Sequence, residues 1–168
     1  TYKELLYSNV LFNKNLSANI AFDIERVVKN KLFFSAKFFL KFDNGAINFN
    51  NSYLISKKIG KLNVDNSSLR FIEDQLIFKG NFDFQIKDHK EFYKSFQTPK
   101  RNRKKINNIY FDIEYNIFEN NLKIVKISLD DLNREPSDPI KSILQQYSND
   151  LDNKIENWID LKIFTNKV

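Results

Sequence analysis

The sequence predicts a mainly β fold with some helix: a curved antiparallel sheet of about eight strands forming an apolar groove, with one short crossover helix and a long C-terminal helix. Three observations carry this expectation. Apolar and polar residues alternate in run after run, clusters of Asn, Asp, Gly and Ser separate the runs, and the spacing becomes helical in only two places.

The first run, Asn15 to Glu25, places Leu16, Ala18, Ile20, Phe22 and Ile24 on one side and Ser17, Asn19, Asp23 and Glu25 on the other. The second puts Leu32, Phe34, Ala36, Phe38, Leu40 and Phe42 on one face, with Phe33 and Phe39 interrupting the polar face. Asp43-Asn44-Gly45 accepts positive φ, so Ile47, Phe49, Tyr53 and Ile55 are expected to return as the second arm of a hairpin. Leu62 and Val64, then Leu69 and Phe71, read as two short strands around a turn at Asp65-Asn66-Ser67-Ser68. After a turn at Glu73-Asp74-Gln75, Leu76, Phe78, Phe82, Phe84 and Ile86 share a face, with Gly80 suggesting a bulge.

Asp88 then suits the N-cap of a short helix reaching Gln97, with Phe92 and Phe96 four apart, and Pro99 and the basic stretch to Lys105 end it in a crossover. Ile109, Phe111, Ile113, Tyr115 and Ile117 form another strand, and Glu119-Asn120-Asn121 turns it into a last one with Leu122, Ile124, Val125, Ile127 and Leu129. Ser137-Asp138-Pro139 opens the long amphipathic helix, expected over about 138–164, with Ile140, Leu144, Tyr147, Leu151, Ile155, Trp158 and Ile159 along one stripe. The strands fill about 15–130, and the 168 residues are read as a single domain.

Composition narrows the chemistry. The chain has 17 Phe, 3 Gly, no Cys and a single histidine, His89, and its net charge is +6. A disulfide framework, a thiolate metal site and a polyhistidine site are therefore excluded. No G-x-S-x-G elbow, phosphate-cradling glycine loop or metal-ligand spacing occurs, and the carboxylates fall in turns and on polar strand faces. His89 sits beside Asp88 at a helix start, where capping and solvent exposure account for it. The expectation is a non-enzyme without cofactor or metal. Its basic charge favours anionic surroundings such as membrane phosphates, lipopolysaccharide or nucleic acid. No apolar run approaches the roughly 20 residues of a spanning helix, and the chain opens at Thr1, as expected of a piece whose membrane anchor lies upstream.

The areas of sheet and helix bear on what the fold does. Eight strands at about 4.8 Å spacing make a sheet roughly 38 Å wide and some 30 Å tall, whereas a helix covers a stripe about 10 Å across. The two helices hide about a third to a half of the apolar face. A closed barrel, a gutter filled by acyl chains, or continuation into neighbouring sequence would cover the rest. In the gutter, acyl chains would lie along Leu32, Phe34, Phe38, Leu40, Phe42, Phe49, Phe78, Phe82, Phe84, Phe111 and Ile113. The basic residues Lys100, Arg101, Arg103, Lys104 and Lys105 are read first as a solvated loop, next as a contact for anionic headgroups, and last as a nucleic-acid site, because the neighbouring aromatics belong to the apolar alternation.

Several stretches also resemble one family. They are Asn15-Leu16-Ser17-Ala18-Asn19-Ile20, Asp43-Asn44-Gly45-Ala46-Ile47-Asn48-Phe49 and Phe92-Tyr93-Lys94-Ser95-Phe96-Gln97-Thr98-Pro99-Lys100. Ile109 to Tyr115 and Trp158-Ile159-Asp160-Leu161-Lys162-Ile163-Phe164-Thr165-Asn166-Lys167 complete the set. Together they resemble the C-terminal region of AsmA-like proteins of the alphaproteobacterial type. The resemblance implies a periplasmic protein held to the inner membrane by an upstream helix, with a β-groove akin to bridge-like lipid transfer proteins. Phospholipid transport between the inner and outer membranes and outer-membrane maintenance are the implied work. The implied partners are phospholipid acyl chains, the membrane surface and an outer-membrane or periplasmic protein, with no nucleic acid. The family supplies no catalytic residues, and this sequence lacks the anchor and most of the groove of a full-length member, so conduit and cap both stay open. The rival expectation is a structural module whose sheet edge pairs with a protein partner.

Overall fold

Alternating runs become strands here because each places its apolar residues on one side of a single antiparallel sheet. The computed structural model describes residues 10–27, 32–131, 137–138, 141–143, 145, 162–163 and 166–167. Eight strands form the sheet: β1 (Ala18–Ile24), β2 (Ser35–Asp43), β3 (Ala46–Asn48), β4 (Ser52–Ser56), β5 (Gly60–Ile72), β6 (Gln75–Ile86), β7 (Asn108–Asn116) and β8 (Asn121–Leu129). Helix α1 (His89–Phe96) lies in the connection from β6 to β7. β3 and β4 lie end to end between β2 and β5, so the eight strands make a sheet only seven rows wide. β1 and β8 are its two edges.

The register sorts every side chain. Phe38, Leu40 and Phe42 of β2 pair with Phe22, Ile20 and Ala18 of β1, while Phe78, Phe82 and Phe84 of β6 pair with Tyr115, Phe111 and Ile109 of β7. The opposite face carries cross-strand ion pairs, Lys37 with Asp23 at 3.1 Å and Lys79 with Glu114 at 2.7 Å. Asn81 hydrogen-bonds to Asp112 on the same face. Such exposed pairs contribute little stability each, but a slip of one residue in β2 or β6 would carry that strand's inward phenylalanines, such as Phe38 and Phe42 or Phe78, Phe82 and Phe84, into water, which fixes the register.

With few glycines, asparagine supplies much of the left-handed backbone: Asn44 has φ 49°, Asn51 65°, Asn66 43° and Asn120 52°. Asn44-Gly45 forms the expected β2–β3 turn, closed by the Asp43–Ala46 pair. The expected single strand over Ile47, Phe49, Tyr53 and Ile55 is instead broken at Asn51. The break reverses parity, so Ile47 shares the apolar face with Phe42 while Tyr53 and Ile55 pair with Lys37 and Ser35 on the polar one. The expected turn at Asp65-Asn66-Ser67-Ser68 is a bulge within β5, one continuous strand of 13 residues. Gly80 makes no bulge in β6, pairing in register with Ile113. An added Cβ there would meet the rings of Phe78 and Phe82 at 3.1 and 3.3 Å, so the glycine leaves room for those rings. A second irregularity displaces Val125 of β8 from the apolar face, leaving it 64% exposed.

Two buried serines repair these interruptions. Ser52 Oγ accepts from Phe39 N (2.9 Å), and Ser67 Oγ accepts from Phe49 N (3.0 Å). Ser67 N in turn donates to Asn50 Oδ1 at 2.8 Å. Replacing Ser67, which is 2% exposed, by alanine would strand the Phe49 amide. Ser67→Ala is therefore expected to cost about 1–3 kcal/mol in urea unfolding, and a loss below about 0.5 kcal/mol would show that solvent satisfies this amide.

Helix α1 follows its sequence signals. Asp88 Oδ1 accepts from Glu91 N at 3.0 Å, Gln97 closes the helix in the left-handed conformation, and Phe92, Tyr93 and Phe96 are buried. The helix is not a crossover, because β6 and β7 are antiparallel neighbours and the connection simply returns alongside. His89 is half-buried rather than fully exposed. The stripe expected along the C-terminal helix, Ile140, Leu144, Tyr147, Leu151, Ile155, Trp158 and Ile159, lies outside the described residues.

The core gathers in two clusters. Ile59, Phe84, Ile86, Phe92, Tyr93 and Phe96 form one around α1. Phe12, Phe42, Ile47 and Leu76 form the other, with Phe49, Phe71 and Phe118 packed against it. Between them the face is only half covered. Phe38, Phe78, Phe82, Phe111 and Ile113 are half-buried, and Ile20 and Phe22 of β1 stand 42% and 48% exposed.

Candidate apolar face and its cavity

The strand alternation brings nine of the eleven residues expected to meet acyl chains onto or against one surface. Phe38, Leu40 and Phe42 come from β2, Phe78, Phe82 and Phe84 from β6, and Phe111 and Ile113 from β7. Phe49, in the turn between β3 and β4, reaches the same surface edge-on to Phe78, with centroids 5.6 Å apart. At the centre, Phe82 and Phe111 stack with planes 4° apart and centroids at 5.1 Å. Phe42 and Phe84 are buried within the two clusters, so the openly available surface lies between them.

The remaining two part company with each other. Leu32 packs against the α1 cluster. Phe34 does not join it: it is 38% exposed with Lys57 Nζ 3.6 Å from its ring centre. Phe33 takes the inward place, its ring 6.3 Å from that of Phe84. The exchange falls just ahead of β2, although the Phe34 backbone is hydrogen-bonded on both sides, its N donating to Ile55 O and its O accepting from Val27 N, each at 2.7 Å.

A cavity of about 460 Å³ opens beneath α1, where the apolar face meets the helix and the loop after it. Phe84, Ile109, Phe111, Ile124 and Ile127 line it from the sheet, and Phe92 and Phe96 from the helix. Tyr93 ties the loop down: Lys104 N donates to its hydroxyl at 2.9 Å, and the hydroxyl donates to Lys104 O. Arg103 lies over the Tyr93 ring at 5.8 Å and donates from Nε to Thr98 O at 3.0 Å. Opposite, Asp130 Oδ1 accepts from Asn107 N and Asn108 N and pins the end of β7 to β8.

The basic stretch is thereby divided. All five cations expected to face headgroups are exposed, but only Arg101 and Lys104 border the cavity. Arg103 is engaged with Tyr93 and Thr98, and Lys100 and Lys105 lie outside the lining. Sequence reasoning missed Thr98, Tyr93 and Ile106 as lining residues. Ile109, Ile124 and Ile127 were visible as strand residues, whereas nothing in the sequence singles out Thr98.

The polar face has the opposite character near β7. Desolvation first, and then Asp83, Asp130 and Asp131, hold the Tyr110 phenol above its ordinary 10.0. Among the described residues, no group of three His, Cys, Asp or Glu could hold a metal ion. Among them also, no helix is long and apolar enough to cross a membrane. No protein-family model, curated protein or solved structure matches the chain.

Proposed function

We propose that this chain is the lipid-binding β-groove segment of a periplasmic AsmA-like protein, serving phospholipid transport between inner and outer membranes and outer-membrane maintenance. Its role is binding rather than catalysis, and an upstream helix holds it to the inner membrane. The observation that carries the reading is the continuous apolar face from β1 to β8, half-buried through its middle and exposed at Ile20 and Phe22 on the β1 edge. Covering such surface with hydrocarbon is favourable by about 25 cal/mol per Å². The sheet curves around acyl chains lying along Phe38, Phe78, Phe82, Phe111 and Ile113. Headgroups remain at the wet rim near Arg101 and Lys104.

Protein purified from bacterial membranes is expected to carry phospholipid into native mass spectrometry. Phe82→Asp places a charge beside the Phe111 ring and is expected to abolish that retention, and Phe38→Asp tests β2 separately. Circular dichroism matching the parent shows that the sheet survives. Lipid-free parent protein, or full retention by both variants, sinks the reading.

One observation favours a second reading, a structural module whose sheet edge pairs with a protein. β1 is an edge strand, and Ile20 and Phe22 on it are largely exposed. A photoreactive residue at Phe38 should label lipid in the first case and polypeptide in the second.

A further inference from the structure

The cavity beneath α1 differs from the rest of the apolar face in being roofed by a helix and in having polar groups on the side of the loop after it. Its volume of about 460 Å³ sets the size of a guest. That lies toward the lower end of the roughly 300–1,000 Å³ range of small-ligand sites, a size for a single acyl chain. Phe111, Ile124 and Ile127 offer that chain an apolar wall.

The polar end is cationic. Arg101, Lys104 and Lys167 border the cavity, and among the described residues no carboxylate does. Thr98 also lines it, at 5% exposure, and its Oγ1 is buried without a hydrogen-bond partner among the described residues. A buried hydroxyl without a partner is uncommon and costs free energy, which an acceptor on a guest would recover.

We infer that this cavity holds a single acyl chain ending in an anionic group, the head taken by Arg101, Lys104 and the Thr98 hydroxyl and the tail by Phe111, Ile124 and Ile127. The inference rests on the lipid-groove reading and narrows it at this end of the sheet to a one-chain amphiphile. A carboxylate and a phosphate monoester share the required chemistry, so a fatty acid and a lysophosphatidic acid are both suitable guests.

Calorimetry on the full chain with palmitate, 1-palmitoyl lysophosphatidic acid and hexadecanol tests it. One palmitate or one lysophosphatidic acid is expected per chain, with hexadecanol bound at least about tenfold more weakly, the loss of one hydrogen bond to a charged group. Tighter binding of palmitate assigns the head as a carboxylate, and tighter binding of lysophosphatidic acid assigns it as a phosphate. The double variant Arg101→Glu/Lys104→Glu changes two exposed residues and should weaken the anionic guests by at least about tenfold while leaving hexadecanol unchanged. Thr98→Val should weaken the same guests with the fold intact by circular dichroism. Equal binding of palmitate and hexadecanol, or indifference of palmitate to the double variant, overturns the inference. If phosphatidylglycerol from vesicles is still retained in a Phe82-dependent way, the groove reading survives that failure. Absence of binding by palmitate, lysophosphatidic acid and phosphatidylglycerol alike overturns both.

Discussion

Phe92→Ala is expected to lower the unfolding free energy by about 3–5 kcal/mol and to release α1 from the sheet. Phe92 is 2% exposed and meets three rings, with centroids 5.9 Å from Phe84, 5.4 Å from Tyr93 and 4.7 Å from Phe96. A helix of eight residues has no stability of its own in water, so its cap at Asp88 sets where it starts while its aromatic face decides whether it forms. Through Tyr93 the loss should spread to the loop that carries Arg101 and Lys104, because the Tyr93 hydroxyl bonds to both backbone groups of Lys104. Urea unfolding gives the magnitude. Amide hydrogen exchange gives the location, with protection expected to fall at the α1 amides and at Lys104 before it falls along β6 and β7. Uniform loss across the sheet would mean that Phe92 supports the general core and does not specifically hold the helix over the cavity.

Such coupling between helix and loop was half legible in the sequence. Alternation revealed β1, β2, β6 and β7 and their common apolar side because those strands run without a parity break, whereas in β8 the irregularity at Val125 shifts the pattern between Ile124 and Ile127. Asp88, Phe92, Phe96 and Pro99 marked α1 for equally local reasons. Interruptions were harder to read. Asp65-Asn66-Ser67-Ser68 has turn composition, and the pairing of Ser67 with Asn50 in the β3–β4 turn helps to keep it inside β5 as a bulge. The same clasp lets the chain reverse parity between Ile47 and Tyr53, which no local pattern announces. Phe33 and Phe34 exchanged roles just ahead of the first residue of β2, and the sequence carries no sign of that exchange. The count of eight strands was right, but β3 and β4 share one row, so the sheet is narrower than the count implied. Of the cavity, the apolar wall and the cations Arg101 and Lys104 were visible, and Thr98 was not. Arg101, Lys104 and Thr98 come together only through the fold of the loop onto Tyr93.

The second large effect is expected at Gly60, where backbone and not side chain is the obstacle. Gly60 has φ 154°, and a Cβ built on it would stand 1.9 Å from Gln85 O and 3.0 Å from Gln85 C. Neither atom can move alone, because both belong to β6, which pairs with β5 at this point. An added methyl group therefore has to push the strands apart at the joint from which α1 departs. Just there, Ile59 O accepts from Lys87 N at 2.7 Å and from Asp88 N at 3.3 Å, while Ser56 Oγ accepts from Ile59 N at 3.2 Å. Backbone strain and overpacking together give Gly60→Ala an expected cost of about 3–5 kcal/mol. Gly80→Ala is the informative companion, because the nearest atoms to its new methyl are on the rims of two phenylalanine rings, which can turn aside. It should cost about 1 kcal/mol in stability and act mainly by crowding Phe78 and Phe82 on the apolar face. Urea titrations followed by circular dichroism should therefore separate the two glycines clearly. A Gly60→Ala protein as stable as the parent would mean that β5 and β6 can part at this joint without strain, and the account of how α1 is anchored would fail with it.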